Sequence, residues 1–163
     1  MAIRKTPNIT FEDARIMYRN LAGLPTKFKP AGGIRDFTLL LDEDTALAML
    51  DDGWNVKYLK PREDVEDSEP RPYVKVFAQY SKFPPRIVLI NSRGKTVLTE
   101  DNINIIDFAD IEKIDLIIRP YNWEVNGNTG VKAFVKSMYV TLAEDELELK
   151  YADVPDANPD FED

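Results

Sequence analysis

The pattern of residues 114–142 predicts two β-strands joined by a tight turn at residues 126–130. The segment is IDLIIRPYNWEVNGNTGVKAFVKSMYVTL. Asn and Gly supply the positive φ angles that such a turn needs without the Cβ clash of other residues. Side chains of the second strand alternate between two faces. We expect one face to pack into a core and the other to meet phosphates and bases. The first face carries Val131, Ala133, Val135, Ser137 and Tyr139, and the second carries Lys132, Phe134, Lys136 and Met138.

Residues 72–80, PYVKVFAQY, repeat this chemistry. Tyr73, Lys75 and Phe77 fall on one face of the predicted strand, opposite an apolar face. A nonspecific single-strand binder needs cations that follow the phosphates and rings on which bases stack, at about 1–3 kcal/mol per base. The alternative is that Phe77 and Phe134 form a second core layer while the lysines extend to water.

Other basic residues lie in predicted loops and strands. Loop 24–33 carries Lys27, Phe28 and Lys29, either as a nucleic-acid contact or as an exposed loop with one buried Phe. Lys57 lies in a predicted strand, and Arg93 and Lys95 lie in a predicted turn. The nucleic-acid-binding candidates are therefore Tyr73, Lys75, Phe77, Lys132, Phe134, Lys136, Lys57, Lys27, Phe28, Lys29, Arg93 and Lys95.

The composition narrows the class of function. The 163 residues include no Cys and no His, which removes disulfides, thiolate metal sites and the commonest general base and metal ligand. We therefore expect neither an enzyme nor a cofactor. The N-terminus lacks the apolar core of a signal peptide, and no stretch reaches the length of a membrane span, so we expect a cytoplasmic protein.

The net charge of −8 is unevenly distributed. Residues 144–163 hold nine acidic residues and one Lys, which leaves residues 1–143 neutral, with 20 basic and 20 acidic residues. Five further acids lie within residues 63–69, so the remainder of the body is mildly basic. We expect the anionic tail to occupy the basic groove until DNA displaces it. It would then present a partner site at Asp160, Phe161, Glu162 and Asp163.

The element pattern predicts a mainly β protein, an OB-fold-like five-stranded barrel with one or two short helices. A β-sandwich is the alternative. We expect a flexible N-terminus (1–10), an OB-fold domain (11–143) and a disordered acidic C-terminal tail (144–163). Strands are predicted at 11–21, 35–41, 54–60, 72–80 and 86–90 and in the hairpin. Helices are predicted from Asp42 or Asp44 to Asp51 or Asp52, and at 99–108 with Thr99 as the cap.

Three motifs resemble a known family. GWNVKYLKP at 53–61, SRGK at 92–95 and NGNTGVKAFVKSMYVTL at 126–142 are similar to segments of small tailed-bacteriophage single-stranded DNA-binding proteins. The resemblance spans most of residues 10–155. It implies an OB-fold, a role in phage DNA replication or recombination in the bacterial host, and a tail that contacts replication proteins. One difference is that Glu162 and Asp163 follow Phe161, whereas the aromatic residue ends the bacterial tails.

Two other functions compete with this interpretation. The exposed strands could pair with other subunits in a virion structural or assembly protein. Asp107, Asp110 and Asp115 could instead form a metal-dependent nuclease site, although they also fit the flanks of a helix end.

Overall fold

The computed structural model describes residues 6–61, 63–64, 66, 69–151 and 153–155. Strands dominate, as predicted, and the helices are short. The elements are β1 Ile9–Phe11, β2 Ile16–Asn20, β3 Asp36–Leu40, α1 Glu43–Asp51, β4 Lys57–Leu59, β5 Arg71–Phe77, β6 Arg86–Asn91, β7 Gly94–Leu98, a 3₁₀ helix Ile103–Phe108, β8 Ile111–Val125, β9 Asn128–Leu142 and α2 Glu146–Lys150.

All nine described strands belong to one sheet, whose main path is β1-β8-β9-β5-β3-β2. The two ends of this path are consecutive in the chain. Between them, the Ala14 amide donates to the Ile114 carbonyl of β8 (2.7 Å), and the Arg15 carbonyl accepts from Leu40 of β3 (2.9 Å). The segment between β1 and β2 therefore curls the sheet into a barrel-like form. This confirms the predicted mainly β, barrel-like fold class, although the sheet contains nine described strands and not five.

Strand β9 is the central element because three strands pair with it. It lies antiparallel to β8 along its whole length and parallel to β5 at Ala133 and Phe134. Its second half lies parallel to β6, from Ser137 to Thr141. The hairpin on which the sequence prediction centres thus holds both halves of the sheet together.

The β8–β9 turn is shorter than predicted. Asn126 and Gly127 alone form it, with φ angles of 51° and 83°. Two positive φ angles in a two-residue loop match the right-handed twist of the flanking strands. Asn128, Thr129 and Gly130 already belong to β9, and Gly130 pairs with Trp123.

The predicted alternation along β9 is wrong beyond Val135. The register passes from Ile118↔Val135 to Ile117↔Ser137, so Lys136 is the extra residue of a β-bulge. A bulge adds one residue to one strand and shifts the alternation that follows. Met138 is consequently buried in the core, opposite to the prediction, and Tyr139 lies on the outer face.

The core is formed by the inner faces of the sheet together with α1 and the 3₁₀ helix. Among its fully buried members are Phe37, Leu39, Met49, Ile87, Ile103, Ile106, Ile118 and Met138. Helix α1 matches the prediction, because the Asp42 side chain accepts from the Thr45 amide and caps its first turn. These hydrogen bonds to Thr45 also lower the pKa of Asp42.

Other elements differ from the prediction in length. The strand expected at 11–21 is split into β1 and β2, and Asp13 takes a positive φ of 53° where the chain crosses between the two edges of the sheet. The helix expected at 99–108 is only the 3₁₀ helix. Its cap position is occupied by Asn102, which makes no side-chain capping hydrogen bond, so Thr99 is not the helix cap. β1 begins at Ile9, inside the predicted N-terminal segment, and α2 lies inside the predicted tail. No helix in the described ranges is long and apolar enough to span a membrane.

Candidate nucleic-acid interface

Two aromatic rings meet where β5 runs parallel to β9. The register pairs Phe77 with Phe134, next to the buried pair Val76 and Ala133. Since neighbours along a strand point to opposite faces, Phe77 and Phe134 lie on the outer face of the barrel. Their ring centroids are 6.1 Å apart. The two lysine-aromatic segments of the sequence are therefore adjacent in space.

Lys132 lies over both rings. Its Nζ atom is 4.1 Å from the Phe77 centroid and 5.5 Å from that of Phe134. Tyr121 packs edge-on against Phe134 at 5.9 Å. These contacts leave Phe134 only 8% exposed. The interpretation of a second apolar layer beneath a lysine therefore fits Phe134, which forms the floor of the surface.

A buried carboxylate joins the loop before β3 to this surface. Asp36, which pairs with Phe77 in the β3–β5 register, is 4% exposed. Its Oδ2 atom lies 2.6 Å from Lys29 Nζ and 3.8 Å from Lys75 Nζ. Lys29 Nζ is also 5.4 Å from the Phe77 centroid. Asp36 thus holds two of the predicted lysines beside the rings. We call the group formed by Lys29, Lys75, Phe77, Tyr121, Lys132 and Phe134 the lysine-aromatic surface.

The neighbouring loop residues are open to solvent. Phe28 is 87% exposed, so the alternative of a buried Phe in this loop is wrong. Lys27 is also exposed, at the tip of a turn in which Thr26 and Lys29 exchange backbone hydrogen bonds. The loop therefore carries one lysine fixed at the surface and a lysine–phenylalanine pair free to contact a ligand.

Tyr73 and Lys57 extend the outer face in one direction. They pair with each other across β4 and β5. Tyr73 lies four positions before Phe77, about 13 Å along the strand at about 3.3 Å per residue. The structure thus places both on the same sheet as the lysine-aromatic surface, at one side of it.

Lys136, Arg93 and Lys95 lie in the other direction. Lys136 is exposed at the bulge. Arg93 lies in the β6–β7 turn and Lys95 lies in β7, where it pairs with Ile90, which in turn pairs with Thr141. Thr141 is seven positions from Phe134, about 23 Å along β9. Arg93 and Lys95 are therefore not part of the lysine-aromatic surface, whereas Lys136 lies only two positions from Phe134, at the bulge.

The same end of β9 carries a tyrosine that the sequence prediction placed on the core face. Arg86 Nε donates to the Tyr139 hydroxyl at 3.5 Å. This hydrogen bond lowers the pKa of Tyr139, and the charges of Arg86 and Lys95 lower it further. Arg86 and Tyr139 thus form a basic-aromatic pair at this end of β9.

Several residues of the candidate interface were not among those predicted from the sequence. Arg119 pairs with Phe134 and Tyr121 with Lys132, which places both on the outer face. Arg119 lies 4.2 Å over the Phe83 ring, and burial lowers its pKa. Together with Gln79 and Lys82, these side chains line a cleft of about 610 Å³ next to Phe134. Arg119 and Tyr121 are two positions apart in β8 and so lie on the same face, which could have identified them from the sequence.

Other predicted residues have structural roles or lie elsewhere. The Asp107 carboxylate accepts the amides of Leu21 and Ala22, and Asp115 accepts that of Asp13. Within the described ranges, no group of three or more acidic side chains is placed to hold a metal ion. Asp160, Phe161, Glu162 and Asp163 lie outside the described residues.

Solved structures of phage proteins share this fold. The single-stranded DNA-binding protein of bacteriophage Enc34 in complex with ssDNA is 16% identical, with a TM-score of 0.52 over 85% of this chain and 88% of that chain. Its C-terminal truncation is 17% identical, with a TM-score of 0.50 over 85% and 87%. No curated protein sequence matches the chain.

A sequence family described as "Putative phage ssDNA-binding domain" matches residues 1–163, the whole chain. This match covers both the barrel and the acidic tail. The chain therefore belongs to the phage ssDNA-binding domain family.

Proposed function

We propose that this protein binds and coats single-stranded DNA without strong sequence preference during phage DNA replication or recombination. The observation that carries the proposal is the lysine-aromatic surface, where Lys29 and Lys132 lie over the ring of Phe77 and Lys75 shares the Asp36 carboxylate with Lys29. Cations can follow a phosphate backbone, and rings accept any base because every base has a flat face. The Enc34 protein of similar fold in complex with ssDNA supports the same ligand.

The protein acts by binding, with no catalytic step, in the cytoplasm of the infected bacterium. The carboxylates of Asp107 and Asp115 support a non-enzymatic role, because each accepts backbone amides and stabilises the fold. Incubation of a labelled oligonucleotide with the protein and Mg²⁺ tests this point. Cleavage above the level of a metal-free control would establish the nuclease alternative instead.

A salt titration of DNA binding tests the main proposal. A fluorescent dT 30-mer is titrated with protein at several salt concentrations. Each neutralised phosphate contributes about −0.7 to the log–log slope, so a few lysines should give a slope of roughly −2 to −4. The absence of binding at low salt would leave virion assembly as the alternative, which self-association in sedimentation experiments would support.

The acidic tail regulates access to the surface and recruits partners. Residues 144–163 carry a net charge of −8 beside a mildly basic body, so attraction between the two is expected at low ionic strength. DNA would displace the tail and expose Asp160, Phe161, Glu162 and Asp163 to a replication or recombination protein. Capture of purified replication proteins by full-length and tail-deleted chains tests the recruitment.

A further inference from the structure

The cleft beside the lysine-aromatic surface has exposed aromatic walls. Phe83 is 54% exposed and Tyr121 is 52% exposed, and both line the cavity of about 610 Å³. Phe134, at 8% exposed, forms its floor. A volume of this size falls within the range of about 300–1,000 Å³ that small-molecule clefts occupy. The cleft therefore has room for a flat organic group.

Phe83 and Tyr121 are more open to a base than Phe77 and Phe134, the two strand rings predicted from the sequence. Phe134 is covered, and Lys132 occupies the neighbourhood of one face of Phe77 at 4.1 Å. Phe83 also has a cation nearby, Arg119 at 4.2 Å, but more than half of its surface stays accessible. Exposed rings that flank a cavity are the arrangement that base stacking requires.

The charge of the cleft specifies an anionic ligand. Of the described residues that line it, Lys82, Arg119 and Lys132 are cationic and none is acidic. Gln79 adds a side-chain amide with both donor and acceptor atoms. Aromatic rings can stack on a base, and cations beside them can contact the phosphates on either side of that base. The cleft therefore fits one nucleotide within a strand.

We propose that this cleft holds one unstacked base of the bound DNA strand, stacked against Phe83 and Tyr121. Lys82 and Lys132 contact the flanking phosphates. Arg119 is a positioning residue, because it lies against Phe83 and fixes that ring at the cleft wall. This subsite rests on the proposed single-stranded DNA binding and assigns the stacking to residues outside the two segments that the sequence predicted.

Photo-crosslinking of the wild-type protein tests the subsite directly. A dT 30-mer that carries 5-iododeoxyuridine forms covalent adducts with aromatic side chains close to the modified base under ultraviolet light. Peptides crosslinked at Phe83 or Tyr121 would support the proposal. Crosslinks confined to Tyr73, Phe77 or Phe28 would overturn it while leaving DNA binding intact.

Substitutions give an independent measurement. Phe83→Ala and Tyr121→Leu should each weaken binding of the dT 30-mer about 5- to 150-fold, the equivalent of about 1–3 kcal/mol per stacked base. Phe83→Tyr keeps a ring and should stay near wild type. Phe108→Ala is the matched control, because Phe108 is 82% exposed on the 3₁₀ helix and does not line the cleft.

The binding measurements distinguish failure of the proposed cleft subsite from failure of the proposed single-stranded DNA binding. Affinities of both cleft variants equal to that of Phe108→Ala, with wild-type binding intact, would overturn the subsite alone. A wild-type protein that binds no oligonucleotide would overturn both. Thermal melting of every variant checks the fold, and we expect little change because both rings are more than half exposed.

Discussion

The ammonium group of Lys132 lies 4.1 Å from the ring centroid of Phe77. A cation over a ring face is favourable by about 0.5–1 kcal/mol at exposed sites. It also occupies space that a base stacked on that face of Phe77 would need. Bound DNA can therefore attract Lys132 to a phosphate and uncover Phe77, so one residue links the electrostatic and the stacking parts of the proposed interface.

Lys132→Met should weaken binding to a dT 30-mer and make the log–log salt slope less negative by about 0.7, since one phosphate contact is lost. Lys132→Arg keeps the charge and should preserve the slope. Fluorescence anisotropy at four or more salt concentrations measures both quantities. An unchanged slope for Lys132→Met would show that Lys132 contacts no phosphate.

Asp36→Asn should tighten DNA binding at low salt. The substitution removes the negative charge that lies 2.6 Å from Lys29 and 3.8 Å from Lys75, while it keeps the shape of the side chain. Each additional phosphate that the released lysines neutralise should make the salt slope more negative by about 0.7. Titration of variant and wild type in parallel measures the change.

Asp51→Asn is the control for Asp36→Asn. It changes the net charge equally but lies at the end of α1, exposed and away from the lysine-aromatic surface. Equal changes in DNA affinity for the two variants would show that Asp36 acts only through the net charge of the protein. Asp36→Asn should also lower the free energy of unfolding by about 1.5–3 kcal/mol, the range for a hydrogen bond to a charged group.

Phe134→Ala should destabilise the fold, whereas Phe77→Ala should mainly weaken DNA binding. The sequence alone left two interpretations open for both rings: exposed rings that stack on bases, or a second core layer. Because Phe134 is 8% exposed and packs against Phe77 and Tyr121, its truncation should lower the free energy of unfolding by about 3 kcal/mol. Urea denaturation measures this loss, and Phe134→Leu should recover part of it.

The sequence predicted the elements whose signals are local. The Asp42 cap, the positive φ angles of Asn126 and Gly127, and the buried side of β5 each follow from residues within a few positions of one another. The lysine-aromatic pairs on β5 and β9 were likewise identified within each strand. Their adjacency depends on the parallel pairing of Phe77 with Phe134, which no local pattern specifies.

The features that were missed depend on long-range pairing. The bulge at Lys136 arises from the register with β8, and it reverses the faces of Ser137, Met138 and Tyr139. Asp36 was predicted only as part of a strand, yet it is buried and its carboxylate accepts a hydrogen bond from Lys29 in the preceding loop. Phe83 comes from a loop, and its place beside Arg119 is set by the whole barrel.

Gly130→Ala should destabilise the β8–β9 hairpin. A Cβ atom at this position would lie 2.5 Å from Trp123 Cζ2 and 2.8 Å from Asn55 Oδ1, so the indole ring must move. Overpacking of this kind costs about 1–3 kcal/mol. Thermal melting and the tryptophan emission spectrum measure the effect. Thr129→Ala, at the exposed neighbouring position, is the control, and equal melting temperatures for the two variants would contradict the prediction.

Deletion of the residues after Val154 should tighten DNA binding. It removes four acids, Asp156, Asp160, Glu162 and Asp163, together with Phe161. If these acids compete with DNA for the lysines, the gain should be larger at 0.01 M salt, where the Debye length is about 30 Å, than at 0.15 M, where it is about 8 Å. Titration of both chains with a dT 30-mer at the two salt concentrations measures the difference.

A full-length variant in which the four acids are replaced by Asn or Gln distinguishes the effect of the tail's charge on DNA binding from the effect of its length. It should bind DNA as tightly as the deletion if charge is the cause. Because three of the four acids belong to the proposed partner site, retained capture of a partner would show that Phe161 alone is recognised. The melting temperature should stay close to that of wild type in both chains, because all nine described strands precede the deletion. Affinities that are identical with and without the tail at both salt concentrations would rule out autoinhibition and leave partner recruitment or solubility as the role of the tail.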